Sequence, residues 1–385
     1  MKYAQSGVLI LTQPLGTNYG GILQAHALQS VIRELGCDVD TNIAPVPPPC
    51  GPSAVYWVTK RRFNLVRRKN AQAQGEINAN LREFITRRIS STNLYAWSRR
   101  PPQSTLRRYT TFIVGSDQVW RPPYSDVCAS LFDFFPPSSS ARRFSYAASF
   151  GIDSGLEYSK RLRARTRRLA ERLDAISVRE ESGVNVVREL WGREDAVAHV
   201  DPTLLLPRDH YDEIVACNSP IQGSAQDHGI ASYLLDKTST KVSVVRQLST
   251  ESGLPVNELL PPQPNSLSEY ASAPRHFHKP PVESWLKSIR EAEIVVTDSF
   301  HGAVFAIMYH RPFLLLANDT RGSARLDSLL SMLGLTRRLY SGSSSGIGST
   351  SPLDLTMEEV DWLEVEQRLR SERCRAIEYL TRYIV

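Results

Sequence analysis

The sequence predicts an α/β protein built from two doubly wound, Rossmann-like domains that face each other across a cleft. Three observations lead there. A chain of 385 residues suits two domains of ordinary size, and an apolar fraction of 41 % with 22 % charged residues is that of a globular protein with real cores. The first stretch, to Asn42, reads strand, glycine-bearing loop, helix, strand, which is how a doubly wound unit begins. The same alternation starts again at Ala231 and runs to residue 333.

Taken in order, "GVLILT" (7–12) is a buried strand, and "QPLGTNYGG" (13–21) is the loop that leaves it. The helix after it carries Ile22, Leu28, Val31, Ile32 and Leu35 on a 3.6-residue period and ends at Gly36. Cys37 to Asn42 is a second strand. Pro45, Pro47, Pro48, Pro49 and Pro52 then break the pattern, so 44–55 is read as loop and 56–108 as a basic, largely helical insertion. Strands return at Thr111–Gly115 and Phe144–Ser149, a basic helix at Tyr158–Arg172, a strand at Asp174–Val178, a helix at Glu180–Trp191 and a strand at Val197–Val200. Pro207, Pro220 and Gly223 with weak periodicity mark a boundary, giving a first Rossmann-like domain over 1–206 and a second over 207–355. The second set has strands at Ala231–Leu235, near Val256, at 293–297 and at 313–316, with helices near Val242–Ser249 and at 282–292, 301–310 and 324–333. "SGSSSGIGSTSP" (341–352) has the composition of a linker. Residues 356–385 form an amphipathic helix (Val360, Leu363, Leu369, Ile377, Leu380), expected to pack back on the first domain.

Composition excludes several classes. No apolar run approaches the ~20 residues that span a bilayer, and Val8–Leu11 is too short for a signal-peptide core, so a cytoplasmic location is expected. The five cysteines form no CxxC pair, and no metal-ligand cluster is visible; no metal and no cofactor are expected, and activity should survive a chelator. From Lys60 to Arg108, 13 Lys and Arg stand against two acids, a net +11 in a chain whose total is +6. Such a patch attracts anions or is a solvated helix face. With no aromatic-rich nucleic-acid module beside it, a nucleic-acid partner is not expected, while peripheral contact of 60–108 with the inner face of a membrane is.

Chemistry is sought where strands end, because ligands of doubly wound sheets sit beyond the carboxyl ends of the strands. In "EIVVTDSFHGAVFAI", Asp298 or Ser299 caps a helix whose first turn holds His301 and Gly302. Free backbone N–H groups and the positive dipole end suit a phosphate or carboxylate there. A histidine beside a bound dianion can hold a proton and act as an acid, and Gly302 lets a ligand approach the backbone. "LTQPLGTNYGG" offers Asn18, Tyr19 and Gly20 ahead of a helix; it matches neither GxGxxG nor GKS/T, so a phosphate or sugar loop and a plain turn both remain open. "FIVGSDQVWRP" puts Asp117 at a strand end, where it accepts a proton from a sugar hydroxyl or makes an Asx turn. Arg179 ends a strand, and Arg321 and Arg325 precede a helix; each suits two-point binding of carboxylate or phosphate, with a pair to Glu180 or Glu181 as the alternative for Arg179 and a surface role for Arg321 and Arg325.

These stretches, with "FSYAASFG", "ISVREESGVNVV", "VDPTLLL" and "RPFLLLAND", run in one order from residue 7 to about 335 and resemble the polysaccharide pyruvyl transferase family. The resemblance implies a glycosyltransferase-B-like fold and an exopolysaccharide-type role. It implies transfer of pyruvate from phosphoenolpyruvate, as a ketal, onto two hydroxyls of a sugar in a polysaccharide or its lipid-linked precursor. On that reading His301 and Asp117 are catalytic. Arg179, Arg321, Arg325, Ser299 and Gly302 hold the donor, and Asn18, Tyr19 and Gly20 face the acceptor. The proline-rich stretch, the basic insertion and the 341–352 linker depart from the family pattern. Two other readings stand beside it: a nucleotide-sugar glycosyltransferase of the same architecture, and a non-catalytic scaffold that docks on membrane through 60–108.

Overall fold

A computed structural model describes residues 7–43, 72–95, 100–217, 228–317, 324–340 and 351–385. Its strands are β1 (Val8–Leu11), β2 (Val39–Asn42), β3 (Ser91–Thr92), β4 (Thr111–Val114), β5 (Arg142–Ser145), β6 (Ser177–Val178), β7 (Val197–Ala198), β8 (Ile230–Tyr233), β9 (Val256–Glu258), β10 (Ile294–Thr297), β11 (Phe313–Leu316) and β12 (Leu339–Tyr340). The helices that matter here are α1 (Tyr19–Glu34), α2 (Ala79–Arg88), α3 (Lys160–Ala170), α4 (Glu181–Trp191), α5 (Arg208–Ala216), α6 (Ser239–Ser252), α7 (Val282–Glu291), α8 (Phe300–Met308), α9 (Ala324–Leu333) and α10 (Trp362–Ile384).

The strands form two parallel five-stranded sheets, in the orders β3-β2-β1-β4-β5 and β12-β11-β10-β8-β9. Strands buried on both faces need continuous apolar runs, and β1, β4, β8, β10 and β11 are buried along their whole length. Each sheet reverses direction once: between β1 and β4 in the first, and between β8 and β10 in the second. Those reversals are the switch points where doubly wound sheets open a crevice beyond their carboxyl edges. The fold is therefore two Rossmann-like sheets in the glycosyltransferase-B-like arrangement.

The edges differ from the expected pattern. The segment expected as an insertion, 56–108, contains α2 and β3, which continue the winding of the first sheet: Leu81, Phe84 and Ile85 of α2 are buried, and β3 pairs with β2. Its residues up to 71, the proline-rich loop and linker residues 341–350 lie outside the described residues. The β6–β7 pair joins the first sheet through isolated bridges from Phe144 to Ala175 and from Ala148 to Val178, and through hydrogen bonds of the Ser145 and Ser177 side chains. The α10 helix crosses back to the first sheet, where Tyr379 donates to the Ser145 carbonyl (2.9 Å) and Arg373 to the Leu204 carbonyl (2.5 Å). Among the described residues no helix is long and apolar enough to cross a membrane.

One apolar core runs through both halves, from Val8 and Ile22 to Val295 and Phe305. At its centre the Tyr19 ring of α1 stacks on Trp285 of α7, with centroids 5.1 Å apart and planes 7° from parallel. The Tyr19 hydroxyl donates to the Pro280 carbonyl at 2.8 Å. That contact joins α1 of the first set to α7 of the second.

Candidate active site

A cavity of about 260 Å³ opens where the two switch points meet. Gln13 and Asn18 reach it from the end of β1, Asp117 and Gln118 from β4, Leu235 from β8, and Asp298 to His301 from β10. Arg325 and Leu326, at the start of α9, complete the wall.

Two helices begin at this cavity. Asn18 caps α1 by accepting from Gly20 N, and Ser299 caps α8 by accepting from Gly302 N. Both helices thus aim their positive ends into the same space. Asp298 does not share the capping. Its carboxylate accepts from Leu235 N (2.6 Å), Asp236 N (3.1 Å) and Lys241 Nζ (2.7 Å), which ties the end of β10 to the loop after β8.

His301 stands in the first turn of α8 and is buried. Its Nε2 faces Asp201 Oδ2 at 3.5 Å, and its Nδ1 lies over Gly20, where a Cβ would come within 2.0 Å. Gly20 therefore makes room for the imidazole; it does not face an acceptor. Gly302 likewise serves packing, since a Cβ there would meet Thr297 Oγ1 at 2.3 Å. Tyr19, expected to face the acceptor, spends its ring on Trp285 and its hydroxyl on Pro280.

Arg179 is also placed differently from the expected clamp. Its Nη1 donates to Asp201 at 2.7 Å, and its Nη2 lies 3.5 Å from Asp117 Oδ1. Its partners are thus Asp201 and Asp117, not Glu180 or Glu181. Glu180 instead accepts from Ser149 Oγ (3.0 Å) and from the backbone of Phe150 (2.8 Å) and Gly151 (3.2 Å). The guanidinium of Arg179 forms the floor behind the cavity and does not line it. Arg325 does line it. The Phe300 ring lies between these two cations, 4.7 Å from Arg179 Cζ and 6.0 Å from Arg325 Cζ. In the amide orientation that satisfies both groups, the Gln118 side-chain oxygen accepts from Arg325, 3.0 Å from Nη1. Arg321 lies outside the described residues.

The buried charges are balanced against one another. Burial pushes the Asp117 carboxyl up, but Arg179, His301 and Arg325 outweigh it and hold the group below its ordinary range. Burial opposes ionisation of Asp201 too, yet His301 and Arg179 hold its carboxyl far below normal. Burial, then Arg179, brings the Arg325 guanidinium down to about 10, which leaves it charged at neutral pH. Asp117 sits in the left-handed region (φ 75°), a conformation Asp tolerates better than most, and this turns its carboxylate toward the cavity wall beside Gly21.

Sequence reasoning missed Asp201, the hub of the cluster. Besides Arg179 and His301, its Oδ2 accepts from Ser116 Oγ (3.1 Å), and its Oδ1 accepts from Thr203 N (3.0 Å) and Oγ1 (2.7 Å). The one available signal was a carboxylate directly after an expected strand, in "VDPTLLL". Gln24 was missed as well; it donates to Thr12 Oγ1 (3.0 Å) and accepts from Ser116 N (3.2 Å), holding the Asp117 loop against α1.

A family model described as polysaccharide pyruvyl transferase matches residues 18–320. Among curated proteins, none matches the chain. A solved UDP-glucosyltransferase of Polygonum tinctorium, in complex with 3,4-dichloroaniline, is similar over 100 % of this chain and 99 % of its own, at 11 % identity and a TM-score of 0.49. The S. aureus MnaA–UDP structure is similar over 98 % and 97 % of the two chains, at 11 % identity and a TM-score of 0.49. A UDP-GlcNAc 2-epimerase from Neisseria meningitidis, bound to UDP-GlcNAc, is similar over 96 % and 94 %, at 9 % identity and a TM-score of 0.43.

Proposed function

The chain belongs to the polysaccharide pyruvyl transferase family, and from that premise we propose that it moves pyruvate from phosphoenolpyruvate onto two hydroxyls of a sugar, as a ketal, with release of phosphate. The observation that carries this reading is the convergence of two helix N-termini, Arg325 and His301 on one 260 Å³ cavity. A donor with a carboxylate and a phosphate needs two anion-binding elements side by side, and this cavity offers them.

In the proposed reaction His301 gives a proton to C3 of the enol, which becomes a methyl group and leaves C2 electron-poor. A sugar hydroxyl adds to C2 and loses its proton to a base, the role assigned to Asp117. The C2–O bond to phosphate breaks, the departing group being held by Arg325 and the start of α8. The second hydroxyl adds to C2 and closes the ring. Of the two hydroxyl protons, one replaces that given up by His301 and the other leaves with phosphate. Asp201 fixes the imidazole from behind and is a positioning residue, and Arg179 keeps Asp201 and Asp117 in register. The acceptor is a sugar of a polysaccharide or of its lipid-linked precursor, and the basic segment 60–108 brings the enzyme to an anionic membrane surface.

The test is incubation with phosphoenolpyruvate and a glycan panel, read by mass spectrometry and by free phosphate. A product heavier by one pyruvate ketal, with stoichiometric phosphate, is expected. Transfer from a nucleotide-sugar with none from phosphoenolpyruvate would overturn the reading.

A further inference from the structure

Beside the site just described lies a second, larger cavity of about 570 Å³. Phe300 lines both, and Arg179 and Asp201 form the part of the wall between them. Its outer walls come from α4, α9 and α10, so residues of both sheets and of the returning C-terminal helix meet around it. The two sides touch where Glu181 N donates to Ser328 Oγ at 3.2 Å.

The lining is the more acidic of the two. Arg179 is engaged by Asp201, and Arg375 by Glu372 at 2.8 Å. That leaves Asp153, Glu181 and Asp327 as carboxylates with no ion-pair partner among the described residues. Ser182, Ser328 and Ser331 add hydroxyls, while Val200, Leu204 and Leu329 give an apolar floor. Ser182 Oγ is shielded from solvent and has no hydrogen-bond partner among the described residues. Apolar surface for the face of a pyranose ring, with carboxylates and hydroxyls around it for the ring's hydroxyls, is the chemistry of a sugar subsite. The net negative lining disfavours an acidic sugar and tolerates an amine.

We propose that the cavity between α4, α9 and α10 is an acceptor subsite that holds a neutral or amino-bearing sugar unit next to the one being modified. This rests on the pyruvyl transfer reading above. The donor and the acceptor chain then occupy two adjoining cavities, with Phe300 as the shared wall. A unit bound here contributes to acceptor recognition without touching the reacting atoms, so its loss raises acceptor KM and leaves kcat largely alone.

Saturation-transfer NMR on the full chain without donor tests this with three probes: the methyl glycosides of glucose, glucosamine and glucuronic acid. Saturation of the first two and not the third is expected. Ser331→Trp, which fills the cavity from an exposed helix position, should weaken that binding roughly tenfold or more. Asp327→Lys should admit the glucuronide and weaken the glucosamine probe. Thermal stabilisation by phosphoenolpyruvate, measured on the same variants, should persist in both. Binding of the glucuronide to the parent chain, unchanged binding in Ser331→Trp, or no binding of any probe would overturn the subsite. Loss of the phosphoenolpyruvate response in the parent chain, with sugar binding intact, would instead count against the donor assignment alone.

Discussion

At the scale of single residues, three side chains from distant parts of the chain meet at the site. His301 lines the cavity, Asp201 stands behind its Nε2 at 3.5 Å, and Arg325 supplies a cation held at about 10 by burial and by Arg179. His301→Ala should lower kcat by roughly 10²–10⁴ while leaving donor-induced thermal stabilisation in place. Arg325→Lys should do the reverse. It keeps the charge but loses the planar fork, so the donor Kd should rise roughly tenfold or more by calorimetry. Asp201→Asn should cost stability, because Arg179 loses its closest buried counter-charge, and it should alter the pH dependence of kcat through His301. A purely structural Asp201 would change the melting temperature and leave the shape of that pH profile untouched.

At the scale of elements, one glycine carries a prediction that the fold makes unusually sharp. Gly20 lies in the first turn of α1, where a methyl group would sit 2.0 Å from the His301 ring. Gly20→Ala should push the imidazole out of line and cost activity of roughly 10²-fold, with far-UV circular dichroism unchanged. The strand–loop–helix order was legible because buried parallel strands are short apolar runs that stop at capping residues. β11 and α9 fall on 313–316 and 324–333, as the periodicity implies. β3 was not legible, since two residues, Ser91 and Thr92, carry no period and follow a basic helix. The site was legible where a residue sits at a strand end, as His301, Asn18 and Asp117 do. It was not legible where chemistry depends on what faces that residue. Nothing local in "NYGG" says that its glycine clears space for a ring 281 positions away. Nothing in "VDPTLLL" says that Asp201 will take the guanidinium expected to bind the donor.

At the scale of the whole molecule, the two sheets share one core and are tied by α10, so a change at the junction is felt by both. His26 of α1 meets His210 of α5 across that junction, ring nitrogens 3.0 Å apart. Burial, then His210, lowers the His26 imidazole to about 4; burial, then Arg375, lowers His199 to about 4 as well. Both are neutral in the folded state. The unfolded chain takes up protons near pH 6.5 and the folded chain resists until about pH 4. Their stabilisation is therefore complete above about pH 6.5 and lost as pH falls toward 4, on the order of 1–3 kcal/mol each. Urea midpoints should drop between pH 7.5 and 5, and His199→Gln should flatten that slope. The central claim remains that the space between the two switch points is built for a small dianionic enol ester beside His301. A crystal structure with phosphoenolpyruvate tests it most directly. The account predicts the phosphate at the starts of α1 and α8 against Arg325, with C3 toward His301. Donor density outside that cavity, or a nucleotide filling it in preference, would contradict it.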